Sequence, residues 1–345
     1  MDMKLRALVT AEINKEKLIN HFADSVDFVF DGYYIDHNVM PHDELKEKIK
    51  YYDILICEYD TITKEIFDAA EKLKIVICCR GGVSAVVDLG AAMKKGVIVC
   101  NNAGRNAGAV TDMVMGYILD LTRNITKTNN LIFSKILTGD VSTKPKEYVD
   151  TVWGLDNDSP FIKYRGRSIN HMTLGIIGFG HAGRMLADKA NAFGMKILAY
   201  DPYSEFENKP DYVTISTWDN IISSSDIISL HCILTPQTEN MFSKEVFEKM
   251  KPDSIFINTS RGQLVVEEDL VNALNSGVIA AAALDVTAQE PIPADSVLLK
   301  AKHLLITPHI AGSSDDVQYC GTKMVINCIE DFINNKKPKH CVVYK

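Results

Sequence analysis

Three ionisable side chains each follow a short apolar run in the last third of the chain. Arg261 comes directly after the run at residues 255–258, Glu290 follows residues 280–286, and His309 follows residues 304–306. Ligands of an open α/β sheet bind beyond the carboxyl ends of its strands. We therefore expect these three side chains to converge at one edge of a sheet. Taken singly, each has a plain alternative: a structural histidine, a Ser-Arg-Gly turn and a Glu-Pro loop.

A glycine-rich string lies upstream of the trio. Gly178, Gly180 and Gly183 form the pattern G-x-G-x-x-G, directly between an apolar run and a helical stretch. The first glycine permits a tight turn, the second lets the backbone approach a pyrophosphate, and the third lets the helix pack close to the strand. The helix N-terminus then offers N–H groups and the positive end of its dipole to phosphates.

An acidic residue closes the next predicted strand, residues 196–200. Asp201 lies 18 positions after Gly183 (201 − 183). A carboxylate at this place hydrogen-bonds the ribose hydroxyls of NAD and repels the extra phosphate of NADP. Because Asp-Pro is also a common turn dipeptide, Asp201 can serve as a turn former at the same time. The context predicts a dinucleotide site that prefers NAD.

The trio suits hydride chemistry at a 2-keto acid beside such a site. The carbonyl oxygen needs a proton as the hydride arrives, and His309 is a suitable donor near neutral pH. A carboxylate beside the imidazole, here Glu290, favours the protonated ring and fixes its orientation. The guanidinium of Arg261 can hold the substrate carboxylate or polarise its carbonyl.

At these residues the sequence resembles the D-isomer-specific 2-hydroxyacid dehydrogenase family, in the phosphoglycerate-dehydrogenase-like short form without a regulatory domain. The resemblance runs from about residue 78 to residue 312 and includes Asn258-Thr259-Ser260-Arg261-Gly262 and Pro308-His309-Ile310-Ala311-Gly312. It implies that Arg261, Glu290 and His309 are catalytic. It also implies a set of residues that contact NAD: Gly178, Gly180, His181, Ala182, Asp201, His231, Thr259, Ser260, Asp285 and Gly312.

The resemblance further implies an α/β architecture of two Rossmann-like or flavodoxin-like parallel-sheet domains with a cleft between them. Residues 1–103 with 312–345 would form the substrate domain and residues 104–311 the NAD-binding domain. The family is usually dimeric through its cofactor domains. We expect a homodimer whose contacts use the apolar stretch 107–133, interpreted as one long buried helix, and an irregular arm at residues 139–170.

The substrate loop follows the fourth apolar run of the first domain. Arg80, Gly81, Gly82 and Val83 are the candidate contacts, since glycines expose backbone N–H groups that can hold a carboxylate. By resemblance, Arg80 lies where phosphoglycerate dehydrogenases place an arginine near the substrate phosphate; pairing with a structural carboxylate is the alternative. The loop departs from the family pattern before Asp88, which leaves the substrate open among phosphohydroxypyruvate, hydroxypyruvate, glyoxylate and larger keto acids.

Other functions compete with this interpretation. Some relatives keep the fold and the NAD site but act as transcriptional corepressors, a role that uses partner surfaces and flexible tails. Formate dehydrogenases share the fold but have glutamine where this chain has Glu290. Relatives of adenosylhomocysteine hydrolase or alanine dehydrogenase do not explain the order of the trio. A glyoxylate or hydroxypyruvate reductase remains the main alternative to a phosphoglycerate dehydrogenase.

The elements that must position these residues alternate regularly. Five apolar runs occur in the first hundred residues, at 6–9, 28–30, 54–57, 75–78 and 97–100, with amphipathic stretches at 43–50, 63–73 and 86–95. A second series has runs at 174–177, 196–200, 227–230, 254–258, 280–284 and 304–306, and a helical pattern at 315–334 precedes a short Lys-rich tail. Such alternation predicts parallel sheets covered by helices.

Composition narrows the function classes. The 345 residues are 46% hydrophobic and carry a net charge of −8, which disfavours a general nucleic-acid surface because phosphate binding needs clustered Lys and Arg. The sequence contains no run of eighteen apolar residues, so it predicts no membrane-spanning helix. The eight cysteines lack a C-x-x-C pair, and Arg105, Arg165 and Arg167 are interpreted as surface charges. Buried thiols of a reducing cytoplasm, rather than disulfides or a zinc or other metal site, are the expectation.

Overall fold

The structure is a computed structural model that describes residues 4–138, 159–204, 206 and 209–344. The described chain divides into two compact units, Met1–Ala109 with Ser313–Lys345, and Val110–Gly312. The predicted boundaries, 103/104 and 311/312, lie close to these divisions. Most of the predicted arm at residues 139–170 lies outside the described residues. Within the described residues, no helix is long and apolar enough to cross a membrane.

The first unit contains a six-stranded sheet and six helices of its own. Its strands are β1 (Leu5–Val9), β2 (Val26–Phe30), β3 (Ile54–Cys57), β4 (Ile75–Cys78), β5 (Ile98–Asn101) and β13 (Cys341–Val343), in the spatial order β13-β5-β4-β3-β1-β2. Its helices are α1 (Lys15–His21), α2 (Tyr33–Asp36), α3 (His42–Lys48), α4 (Lys64–Ala69), α5 (Leu89–Lys95) and α13 (Asp315–Ile333). Every residue of β3 and β4 is buried, as expected of central strands covered on both faces.

The second unit contains a seven-stranded sheet whose pairs are all parallel. Its strands are β6 (Thr173–Ile177), β7 (Lys196–Tyr200), β8 (Val213–Ile215), β9 (Ile227–Leu230), β10 (Ile255–Asn258), β11 (Ala281–Leu284) and β12 (Leu304–Ile306), in the order β12-β11-β10-β9-β6-β7-β8. Its helices are α7 (Ile125–Phe133), α8 (Pro160–Lys163), α9 (His181–Ala192), α10 (Trp218–Ser224), α11 (Lys244–Phe247) and α12 (Glu267–Ser276), and α6 (Ala107–Arg123) lies mostly in it. The α/β prediction with two parallel-sheet domains is thus confirmed.

The structure differs from the sequence interpretation of the fold in three places. The predicted helix 107–133 is two helices, because Asn124 adopts a left-handed φ of 56° between α6 and α7. The carbonyl of Thr122 accepts the N–H of Arg167 instead of continuing the helix, and α7 has no buried residue. The Lys-rich tail contains β13, which pairs antiparallel with β5. Not all thiols are buried either, since Cys320 is exposed.

Candidate active site

The glycine loop joins β6 to α9 at the point where the strand order of the second unit reverses. Gly178 has a φ of 93°, and a Cβ there would lie 2.5 Å from the backbone nitrogen of Cys232. A Cβ on Gly183 would lie 2.2 Å from the carbonyl oxygen of Gly178. Both positions therefore exclude any larger side chain for reasons internal to the fold. Ligands of doubly wound sheets bind at such a reversal.

Gly180 differs from its two neighbours in the motif. A Cβ on Gly180 would meet no atom within 4 Å, and no side chain caps α9 at this residue. His181 and Ala182 form the first turn of that helix. An open backbone at the N-terminus of a 12-residue helix fits a pyrophosphate. Packing within the described residues does not require a glycine at position 180, which is compatible with the predicted cofactor contact.

Asp201 is held rigidly beside the glycine loop. Its Oδ2 accepts the N–H of Phe179 at 2.8 Å, and its Oδ1 accepts the N–H of Tyr203 at 2.9 Å. The residue is therefore a turn former, as the Asp-Pro dipeptide suggested. The two bonds fix the carboxylate at the end of β7, where ribose recognition requires it.

Polar groups also follow β9 and β10. His231 Nε2 lies 2.9 Å from the Ser229 hydroxyl, and burial lowers the pKa of His231 to about 4. The Ser260 hydroxyl donates to the carbonyl of Leu230 at 2.8 Å, which ties the two loops together. The Thr259 hydroxyl oxygen is buried and has no partner among the described residues. An orphaned buried hydroxyl directly after β10, two strands away from β6 in the sheet, fits a site that binds a polar cofactor such as NAD.

His309 and Glu290 form a direct pair. His309 Nδ1 lies 2.7 Å from Glu290 Oε2, while Glu290 Oε1 accepts the N–H of Thr287 at 3.2 Å. The carboxylate only accepts, so Nδ1 carries the hydrogen and Nε2 is left as the atom that can exchange a proton with a ligand. The imidazole side chain is 50% exposed and is thus accessible.

Arg261 lies on the turn after β10. The Asn258 side chain closes this turn by accepting the N–H of Ser260 and donating to the carbonyl of Arg261. The guanidinium is exposed and donates to the carbonyl of Ser260, but it makes no ion pair with a carboxylate among the described residues. No bond of the guanidinium joins it to Glu290 or His309. Its charge therefore stays available for an anionic ligand.

The loop that carries Arg261 packs against the loop that carries Glu290. A Cβ on Gly262 would lie 2.0 Å from the backbone carbon of Thr287, and the side chain of Gln263 donates to the carbonyl of Ala288 at 3.1 Å. Any displacement of one loop is therefore transmitted to the other. This contact sets the spacing of two predicted catalytic residues.

The Asp285 carboxylate accepts hydrogen bonds from the protein backbone. Its Oδ1 accepts the N–H of Ile310 at 2.9 Å and its Oδ2 accepts the N–H of Ala311 at 2.7 Å, next to Gly312. The resemblance placed Asp285 among the residues that contact NAD; the observed bonds show that it anchors the loop of His309. Oδ1 also accepts the Thr307 hydroxyl, so only Oδ2 keeps a second acceptor site for a ligand.

The predicted substrate loop lies in the first unit, after β4. The carbonyl of Arg80 accepts the N–H of Asn102 at 3.1 Å, and the carbonyl of Gly81 accepts from the Asn101 side chain at 2.9 Å. The N–H groups of Gly81 and Gly82 have no acceptor among the described residues. Anchored carbonyls and unused N–H groups leave this loop with backbone donors that an anion can accept.

The side chains of this loop differ in their burial and in their contacts. The Arg80 guanidinium lies 5.5 Å from the centroid of the Tyr59 ring, and no carboxylate of the described residues pairs with it. The alternative, a structural ion pair for Arg80, is not observed among the described residues. Val83 is buried and begins a short 3₁₀ turn, so its side chain supports the loop. Asp88 caps α5 by accepting the N–H of Ala91 at 2.9 Å.

Sequence reasoning missed the buried ion pair of the first unit. Arg105, interpreted as a surface charge, has a side chain only 16% exposed and pairs with Glu58, which is 4% exposed. Arg167 is a surface charge as expected and pairs with Asp253. The clue for Arg105 was Glu58 itself, since a carboxylate directly after a buried strand needs a partner.

Comparisons with known proteins agree with this geometry. Residues 137–311 match the family described as "D-isomer specific 2-hydroxyacid dehydrogenase, NAD binding domain". A hydroxypyruvate reductase of Blautia hydrogenotrophica is 33% identical over 291 residues, which are 84% of this chain and 85% of that protein. A chloroplastic D-3-phosphoglycerate dehydrogenase of Arabidopsis thaliana is 32% identical over 320 residues, 91% of this chain and 46% of that one.

A solved structure shows the same fold. The NAD complex of a D-isomer specific 2-hydroxyacid dehydrogenase from Lactobacillus delbrueckii ssp. bulgaricus superposes with a TM-score of 0.75 at 20% identity, covering 98% of this chain and 99% of that chain. The family match and the extended similarity to full-length relatives agree with each other and with the sequence resemblance. The chain therefore belongs to the D-isomer specific 2-hydroxyacid dehydrogenase family of NAD-dependent oxidoreductases.

Proposed function

We propose that the protein catalyses reversible hydride transfer between NAD(H) and C2 of a small 2-hydroxy or 2-keto acid. The observation that carries the proposal is the His309–Glu290 pair at 2.7 Å, which leaves an exposed Nε2 beyond the carboxyl edge of the sheet. In this proposal the second unit is the cofactor domain and the first is the substrate domain. NAD, when bound, supplies or accepts the hydride, held by the glycine loop, Asp201 and Thr259.

The protein groups supply the proton and the orientation. His309 Nε2 gives its proton to the carbonyl oxygen during reduction and recovers it from the hydroxyl during oxidation. Glu290 keeps the imidazole in the tautomer that points Nε2 at the substrate and stabilises the imidazolium. A positioned proton donor of this kind contributes about 10²–10⁴-fold to the rate.

Two cationic or donor groups orient the substrate acid. Arg261 binds the substrate carboxylate or polarises the carbonyl, since its guanidinium has no carboxylate partner of its own. The N–H groups of Gly81 and Gly82 bind a carboxylate oxygen. A 2-keto acid carries a carboxylate and an adjacent carbonyl, which are the groups that such donors bind.

Arg80 favours a substrate with a second anionic group. Its guanidinium lies 5.5 Å from the centroid of the Tyr59 ring and has no counter-ion among the described residues, and the residue directly precedes Gly81 and Gly82 in the chain. The D-3-phosphoglycerate dehydrogenase relative acts, by its name, on a phosphorylated acid, and the hydroxypyruvate reductase relative on an unphosphorylated one. We propose phosphohydroxypyruvate as the preferred keto acid and hydroxypyruvate or glyoxylate as the alternative.

The test is NADH oxidation with phosphohydroxypyruvate, hydroxypyruvate and glyoxylate, using the wild type, Arg80→Met and Arg6→Met. Arg6 is the matched control, because its guanidinium also lies over a tyrosine ring, that of Tyr52, at 5.0 Å. A charge-assisted bond contributes about 1.5–3 kcal/mol, so Arg80→Met should lose about 10- to 100-fold in kcat/KM for the phosphorylated acid only. Equal turnover of the phosphorylated and unphosphorylated acids would favour hydroxypyruvate or glyoxylate as the substrate. No turnover of any of the three keto acids would reject the proposed activity.

A further inference from the structure

Tyr117 is a buried tyrosine of α6 that belongs to the apolar pattern of residues 107–133 and to which the sequence assigned no chemical role. Its side chain is only 3% exposed, and its hydroxyl contacts the Thr307 hydroxyl directly after β12. Burial raises the pKa of Tyr117 to about 12, so the hydroxyl keeps its hydrogen throughout the working pH range. A buried hydroxyl of this kind is a permanent donor aimed at one acceptor.

The direction of the hydrogen bonds follows from the donor inventory. The Thr307 hydroxyl lies 2.5 Å from Asp285 Oδ1, and a carboxylate only accepts, so the single hydrogen of Thr307 goes to Asp285. The Tyr117 hydroxyl must then donate to Thr307 Oγ1. The result is a one-way relay from Tyr117 through Thr307 to Asp285, in which each bond polarises the next.

The relay ends on the loop that carries His309. Asp285 accepts the N–H of His309 through its backbone carbonyl at 2.8 Å, and its carboxylate accepts from Ile310 and Ala311. His309 itself adopts a left-handed φ of 55°. A non-glycine residue in that region costs about 1–3 kcal/mol and persists only where its surroundings fix it. Asp285 provides that fixation on both sides of the histidine.

We propose that Tyr117 is a positioning residue for proton transfer, which acts through Thr307 and Asp285 to hold the His309 loop in its strained conformation. The inference rests on the proposed role of His309 as acid and base. Tyr117 touches neither substrate nor cofactor in this account. Loss of its hydroxyl leaves Thr307 with one donor fewer and weakens the hold of Asp285 on the loop.

The experiment compares Tyr117→Phe, Thr307→Val and Thr307→Ser with the wild type. Tyr52→Phe is the matched control, because Tyr52 is also buried but its hydroxyl has no hydrogen-bond partner in the described part of the chain. Two readouts are taken: kcat and KM for reduction of the best keto acid, and deuterium exchange of residues 307–312 in the protein without cofactor. His309→Ala is measured in parallel to test the proposed function separately.

We expect Tyr117→Phe to lower kcat by about tenfold, as for one lost hydrogen bond, with KM unchanged. Exchange of the 307–312 segment should accelerate by a similar factor. Thr307→Val should lower kcat further than Tyr117→Phe does. Thr307→Ser, which keeps the hydroxyl, should retain wild-type kcat and exchange, and Tyr52→Phe should change neither readout. If Tyr117→Phe only lowers the unfolding temperature and leaves kcat and exchange as in Tyr52→Phe, the positioning role is refuted. If His309→Ala keeps its activity, the proposed function fails instead.

Discussion

Two glycines of one motif should respond in opposite ways to the same added methyl group. At Gly183 the new Cβ would lie 2.2 Å from the Gly178 carbonyl oxygen, which is about 1 Å inside ordinary contact. Overpacking of this kind costs about 1–3 kcal/mol of folding stability. At Gly180 the new Cβ would meet no atom within 4 Å. Gly180→Ala should leave stability unchanged or raise it by about 0.4–1 kcal/mol, because alanine restricts the unfolded chain.

For NADH binding, we expect Gly180→Ala to be the harmful substitution, although it leaves stability intact. If the open space at Gly180 receives the pyrophosphate, the methyl group of Gly180→Ala occupies it, and NADH should bind at least about tenfold more weakly, or 1.4 kcal/mol. The assays are urea unfolding without cofactor and titration of NADH fluorescence. Gly180→Ala that binds NADH as tightly as the wild type would refute the assignment of this loop. Gly183→Ala with wild-type stability would refute the packing argument.

Three further predictions follow from the observed contacts. Asp201→Ala should narrow the preference for NADH over NADPH, measured by titration with both cofactors; an unchanged ratio would show that another group sets the preference. Arg105→Met should lower the free energy of unfolding by about 3–5 kcal/mol because Glu58 is left buried and unpaired, whereas Lys64→Met, which breaks an exposed pair with Asp68, should cost under about 1 kcal/mol. Because the pKa of His231 is lowered to about 4 in the folded protein, the unfolded chain binds the proton first as pH falls. Stability should therefore drop between about pH 6.5 and pH 4, by up to about 3 kcal/mol, and His231→Gln should flatten this part of the urea-unfolding profile.

The glycine motif and the strands of both sheets could be predicted because their signals are local. An apolar run such as β3 or β4 is buried on both faces, and the glycine spacing encodes a turn and a close approach. The pairing of Glu290 with His309 could be predicted from their positions after neighbouring strands. Arg261 could be placed on the turn after β10, while the ligand that its charge binds stays a prediction.

Other features depend on contacts that the local pattern does not contain. The break at Asn124 arises because the segment around Gly166 packs on the end of α6, where a Cβ would lie 2.3 Å from the Thr122 carbonyl. β13 forms because β5 offers an open edge to residues far away in sequence. Arg105 is buried because it forms an ion pair with the buried carboxylate of Glu58. Homodimer formation stays a prediction.

The central claim is that His309 Nε2 transfers the proton during reduction of a 2-keto acid. The most direct measurement is the single-turnover rate of NADH oxidation by wild type and His309→Asn, each saturated with NADH and hydroxypyruvate or phosphohydroxypyruvate, with NADH affinity measured on the same samples. We expect His309→Asn to lose about 10²–10⁴-fold in this rate, with NADH affinity nearly unchanged. A His309→Asn enzyme that turns over within a few-fold of the wild type would contradict it.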